Sequence, residues 1–386
     1  MDQSQQSQPA SAVPIEQPSP APRRRLPRWV SRPLGWCRIA LKRFAQFLLI
    51  AWGMLAIFYS NLPWPWARTA LAIAFAAGSI WVLWVTRRPR MRWAFAGAFA
   101  AVVVWWICIP PLQYRPWRPE VAVLPRAQLL DDDRVRLSDF RNFDYHLGGD
   151  GSNMPRTATR PRVLWDFDVR YETREVRISH IISMDWFISY WKIGPVAHTF
   201  VSFNFDDGTL PVCMSIEARP EIGEGFAPIQ ANFKQFELIY VVGDERDLVR
   251  VRTNFREEDV FMYRVRMSPE SAQELFRIYL KRVNELAERP EWYHLLSNSC
   301  TLNTLRYARA AGAWNTRFDH RFLLNGLIDR YMFGAGVIDT DLPFDELRRR
   351  SHINEAAVAA GDAEDFSARI RASLPPRATP PPGSGP

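Results

Sequence analysis

The chain has 386 residues, 47% of them hydrophobic, with 16 Trp, 30 Pro and a formal net charge of +8. That charge is unevenly placed: residues 1–115 carry 14 Lys/Arg against 2 Asp/Glu, whereas residues 116–386 carry 35 against 39. The larger part has no basic excess and no basic motif interleaved with aromatics, which argues against a nucleic-acid partner.

Residues 1–22 are rich in Gln, Ser, Pro and Ala and lack apolar periodicity, so they read as a disordered tail. A basic cluster follows, from Arg23 to Arg43. Three uncharged apolar runs come next, 44–62, 69–86 and 93–111, each close to the ~20 residues that cross a bilayer. Trp64, Trp66, Trp105, Trp106 and Trp117 lie near their ends, as an interfacial belt requires. Three such runs in succession predict membrane helices rather than a buried hairpin or a cleaved signal peptide. The loop between the first two runs has a single Arg68, while the next has Arg87, Arg88, Arg90 and Arg92. The positive-inside rule therefore puts the N-terminus in the cytoplasm and everything after about residue 113 outside.

A Pro-rich linker is expected from residue 113, continuing as an irregular segment to 161. Period-two alternation then predicts strands at 162–171, 175–183, 185–191, 197–205, 211–219, 236–243, 248–254 and 260–267, with Asp207-Gly208 as a hairpin turn. Ser268-Pro269-Glu270 predicts a helix start, and Ala272, Leu275, Phe276, Tyr279, Val283 and Leu286 mark its apolar face. A second helix is expected from about Thr301 to Ala311, stopping at Gly312. The expected fold is α+β: three transmembrane helices, then a mainly antiparallel sheet with packed helices. The expected divisions are a basic tail to 43, spans over 44–112, the linker to 161 and a main domain over 162–345. A helical patch with a Pro-rich tail occupies 346–386.

Of the four cysteines, Cys37 and Cys108 fall in or beside apolar segments, and Cys213 and Cys300 could pair in an oxidising compartment. No C-x-x-C, H-E-x-x-H, G-x-S-x-G or P-loop is present, so no metal or cofactor is predicted. Cys300 falls where a helix begins, with Asn298 or Ser299 as N-cap. Free N–H groups and the helix dipole favour an anion there, and the thiolate is the nucleophilic form. N–H groups near Thr301 can also hold a developing oxyanion. The bland alternative is a small apolar residue buried beneath the sheet. A nucleophilic thiol needs a base, and His198, at the start of a strand, is a rigid mount for one. His146, His180, His294, His320 and His352 read as surface or packing residues, with His320 beside Asp319. Glu217 reads either as an ion pair with Arg219 or as the group that orients the imidazole.

The stretches 197-AHTFVSF-203, 215-SIEARPEIGEGF-226, 237-ELIYVVGDERDLVRVRT-253 and 291-EWYHLLSNSCT-301 resemble the Lnb N-terminal periplasmic domain family. The likeness covers about Arg162 to Gly312. That family is similar to permuted papain-like thiol enzymes, in which His precedes Cys, as His198 precedes Cys300. Its naming member is a lipoprotein N-acyltransferase, which moves an acyl chain from a glyceryl group to an N-terminal amine. The resemblance implies Cys300 as nucleophile and His198 as general base, with lipids or lipoproteins as partners at the outer face of the inner membrane. The chain departs from the expected Asn-Cys pair, having Asn298-Ser299-Cys300, which bears on substrate and rate more than on the nucleophile. The competing readings are a periplasmic cysteine peptidase or amidase, and a non-catalytic envelope binding module.

Overall fold

The computed structural model describes residues 28–375 apart from 61, 87, 149–163, 192–195, 315–316 and 318, with side chains from residue 36 onward. The expected tail 1–22, Arg23 to Arg25, Arg87, the turn expected at Gly194-Pro195 ahead of His198 and most of the Pro-rich tail lie outside the described residues.

Helix α1 (Arg28–Phe58) is followed by α2 (Pro65–Ile80), a π-helical turn (Trp81–Val85) and α3 (Pro89–Cys108). Pro65 and Pro89 occupy first-turn positions, where a missing N–H costs nothing. The apolar stretches Trp36–Phe58, Pro65–Val85 and Pro89–Cys108 are 23, 21 and 20 residues long, each enough to cross a bilayer. Helix α3 is fastened to the rest of the chain at its C-terminus. Lys234 Nζ donates to the carbonyls of Trp106 (2.9 Å), Ile107 (2.9 Å) and Ile109 (3.1 Å) at this helix end, where carbonyls run short of helical partners.

The strands are β1 (Arg126–Leu129), β2 (Arg134–Arg141), β3 (Asp144–Leu147), β4 (Trp165–Asp168), β5 (Tyr171–Arg177), β6 (Ile181–Tyr190), β7 (Ala197–Phe205), β8 (Val212–Arg219) and β9 (Glu237–Gly243). Short α4 (Glu245–Leu248) and a π-helical turn (Val251–Phe255) precede β10 (Asp259–Arg264). The main sheet runs β1-β2-β9-β8-β7-β6-β10, with β5 also on β2; β3 and β4 pair separately. Every pairing is antiparallel except β2 with β9, which touch in parallel at Arg141 and Gly243. A Cβ at Gly243 would collide with the Arg141 carbonyl and with Leu248, so this crossing needs glycine.

Two expectations are corrected. Residues 126–147, read as linker and irregular segment, form β1, β2 and β3. Their pattern is broken by a bulge between Leu137 and Phe140, where Asp139 takes φ 57°, so period two is not sustained. Their anchor is also non-local: buried Asp247 accepts from Arg141 (2.8 and 2.9 Å), from the Phe143 N–H (2.8 Å) and from the Tyr145 hydroxyl (2.9 Å). Residues 248–254, read as a strand, are helical turns instead. Asp244 caps α4 by accepting from the Arg246 N–H, and the chain coils on from there. Short alternating runs do not discriminate between the two states.

The helices that follow are α5 (Pro269–Glu288), α6 (Cys300–Ala310), α7 (Ile328–Gly334), α8 (Phe344–Ser351), α9 (Asn354–Ala360) and α10 (Phe366–Arg371). Helix α5 begins as expected, with Ser268 accepting from the Ser271 N–H, and it buries the six predicted apolar residues. Strand alternation divides the sheet into two faces. Ala197, Val201 and Phe203 of β7 and Met214 and Ile216 of β8 pack with α5 to α8. Phe200 of β7 and Cys213 of β8 pack with Leu248, Val249, Ala357, Phe366 and Ile370. The C-terminal helices α9 and α10 thus cover the second face.

Candidate functional site

The first helical residue of α6 is Cys300, with Ser299 at the N-cap. Neither expected cap acts through its side chain: Ser299 makes no such bond, and the Asn298 amide bridges the Trp292 carbonyl (2.9 Å) and the Asn303 side chain (2.8 Å). The first-turn N–H groups are therefore left to other partners. One is Tyr293, whose hydroxyl lies beside both the thiol and the backbone of Cys300. Burial, and then the neighbouring Cys300, push the Tyr293 phenol well above its usual range, so it remains a proton donor. Cys300 itself is only 1% exposed.

Thr301 ties this helix end to the sheet. Its hydroxyl lies 3.0 Å from that of Thr199 on β7, and Asn325 Nδ2 donates to it at 3.1 Å. Asn325 also brackets the start of β7, accepting from the Ala197 N–H at 2.8 Å and donating to its carbonyl. The first sheet face thus presents Thr199, not His198, to the N-terminus of α6.

His198 belongs by alternation with Phe200 on the second face, where it sits in a buried polar chain. Ser215 donates to Glu217 Oε1 at 2.8 Å, so its hydroxyl oxygen accepts from His198 Nε2 at 2.7 Å. This fixes the proton on Nε2 and leaves the Nδ1 lone pair without a hydrogen bond among the described residues. Arg252 donates to Glu217 Oε1 at 2.8 Å and to Glu258 Oε2 at 3.3 Å, and Ser189 donates to the same Glu258 at 2.5 Å. Arg252 also lies over the Phe200 ring. Burial and then the Arg252 charge depress the His198 imidazole to about 3, with Glu217 opposing. It is neutral across the physiological range. Burial would raise Glu217, but Arg252 and then His198 pull it down to about 2, so it stays ionised.

The expected residues therefore fall into two groups. Cys300 and Thr301 meet at the head of α6, with Asn298 bracing the preceding turn. His198 and Glu217 meet through Ser215 on the other face. His198 and Cys300 make no hydrogen bond to each other. The Glu217–Arg219 pair is not formed either: Arg219 donates to the carbonyls of Val121 (2.8 Å) and Ala122 (2.7 Å). Cys213 and Cys300 are both free thiols, and they pack on different faces. His320 lies 3.3 Å from Asp319 as expected, while His180 bonds Asp206 at 2.6 Å and His294 bonds Ser297 at 3.0 Å. Among the described residues no His/Cys/Asp/Glu group could hold a metal ion.

Sequence reasoning passed over Tyr293, Thr199, Ser215, Arg252 and Asn325. Ser215 and Glu217 share a strand face by their i, i+2 spacing, a legible signal. Arg252 and Asn325 join by long-range contact, and their positions carry no local mark.

No curated protein and no solved structure matches the chain. Residues 167–329 match the family described as the Lnb N-terminal periplasmic domain, and that segment runs from β4 to the start of α7 and includes both groups of site residues. With three candidate spans ahead of it, the chain is a membrane protein whose segment 167–329 matches the Lnb N-terminal periplasmic domain family.

Proposed function

We propose that the chain is an inner-membrane thiol acyltransferase or acyl hydrolase acting on lipoprotein or lipid acyl groups. Its N-terminus lies in the cytoplasm and its domain in the periplasm. The carrying observation is Cys300 at the head of α6, with no side-chain bond from its N-cap Ser299 and next to a phenol that stays protonated. In this reading the Sγ–C bond forms as the proton leaves the thiol. The tetrahedral oxyanion is held by N–H groups near Thr301 and by the Tyr293 hydroxyl. The leaving alcohol takes up the proton, and the thioester passes to an amine or to water. His198 is the expected base through Nδ1, the nitrogen that Ser215 and Glu217 leave open; since it stands on the sheet face opposite Cys300, its role is carried by the resemblance and the His-before-Cys order rather than by contact with the thiol. The test is labelling of the full chain with a thiol-reactive acyl probe. Wild type labels, Cys300→Ser does not, and His198→Gln labels more slowly. Equal labelling of wild type and Cys300→Ser overturns the nucleophile.

A second reading, a non-catalytic envelope module, draws support from one feature. His198 is held neutral beside Arg252 and on the face away from α6. It predicts that the natively folded chain does not label at Cys300 at all.

A further inference from the structure

Two cavities, of 330 and 200 Å³, lie where the spans meet the domain, and they share Tyr59, Arg68, Glu224 and Gln235 as walls. Ser60 just after α1, Leu62 and Pro63, and Arg68 in the first turn of α2 form one side of this space, and Lys234 and Trp292, which grip the end of α3, close another. The cavities therefore open at the level of the membrane interface, where lipid headgroups lie. Of the charged groups in their walls, Lys234 is taken up by the carbonyls of Trp106, Ile107 and Ile109 and Arg115 by Glu221 and Glu237, which leaves one cation and one anion that are not spent on each other. Arg68 donates to the Ser60 carbonyl at 3.2 Å and has no carboxylate within ion-pair distance among the described residues. The Glu224 carboxylate accepts from the Glu221 N–H at 2.9 Å and from the Gln235 amide, and likewise has no cationic partner among them.

We propose that this junction binds the headgroup of a zwitterionic phospholipid of the phosphatidylethanolamine class, its phosphate on Arg68 and its ammonium on Glu224. A bare phosphate would meet Arg68 but be repelled by Glu224. A divalent cation would find a single free carboxylate. A phosphoethanolamine carries one charge of each sign a few bonds apart, and the membrane supplies it at this depth. The inference does not rest on Cys300, which lines neither cavity.

The test uses the full chain in detergent, titrated with dihexanoyl-phosphatidylethanolamine, dihexanoyl-phosphatidylglycerol and free phosphoethanolamine, with bound lipid counted by native mass spectrometry. Wild type binds the ethanolamine lipid about fivefold more tightly than the glycerol lipid, since one charged contact is at stake. Arg68→Gln weakens both lipids, Arg68→Lys restores them, and Glu224→Gln weakens only the ethanolamine lipid. Equal affinity of wild type for both lipids overturns the assignment, as does unchanged binding in Arg68→Gln or Glu224→Gln. Free phosphoethanolamine binding as tightly as its lipid overturns the membrane as the source. Cys300→Ala binds as wild type does, so this result and the labelling result fail separately.

Discussion

Lowering the pH from 7 to 5 should destabilise this protein through His198. In the folded chain the imidazole is depressed to about 3 by burial and then by Arg252, against an ordinary 6.5. The unfolded chain therefore binds a proton that the folded chain refuses anywhere between these values. Stability rises with pH wherever the unfolded state binds more protons, so the contribution is complete above 6.5 and declines as the pH falls towards 3. At pH 5 the unfolded histidine is 1.5 units below its own midpoint value, which corresponds to about 2 kcal/mol of lost stability. At pH 7 the same effect is only a few tenths of a kcal/mol. Urea denaturation of the full chain in detergent, followed by near-ultraviolet circular dichroism at pH 5, 6 and 7, measures it. His198→Gln removes the titrating group while keeping a donor for Ser215, and it should flatten the dependence by about 2 kcal/mol. Glu217 does not interfere, because its own loss begins only below its ordinary 4.5. Parallel pH dependence in wild type and variant would refute the reasoning, as would a folded-state His198 resonance titrating near 6.5.

Arg252→Met leaves Glu217 and Glu258 buried without their cation and should cost about 3–5 kcal/mol in the same denaturation assay; a loss below about 1 kcal/mol would show that water reaches the cluster. Gly243→Ala sets a methyl against the Arg141 carbonyl at the β2–β9 crossing and should lower stability by about 1–3 kcal/mol. Hydrogen exchange should speed up first in β2 and β3, and unchanged protection there would show that the crossing gives way without cost.

What the sequence by itself determined was whatever is written locally. The three spans follow from the length of uncharged runs, and α5 follows from Ser268, Pro269 and a 3.6-residue apolar face. Strands β7 to β9 were legible as apolar runs of seven residues or more between turn signals, whereas β6 was read as parts of two strands, 175–183 and 185–191, because the 3-10 turn Ile178–His180 that separates it from β5 leaves no local break in the pattern. Cys300 at the head of α6 was legible as a position relative to a helix start. Strands β1 to β3 were not, because a bulge at Asp139 breaks their period and their anchor, Asp247, lies a hundred residues away. Only the tertiary structure decided which sheet face each side chain joins. A strand shows two faces with equal clarity, and no local pattern says which one a distant helix will cover. Alternation alone could therefore put His198 on either side of β7. The packing of α6 against Thr199, and of Arg252 against Phe200, set it among Ser215 and Glu217.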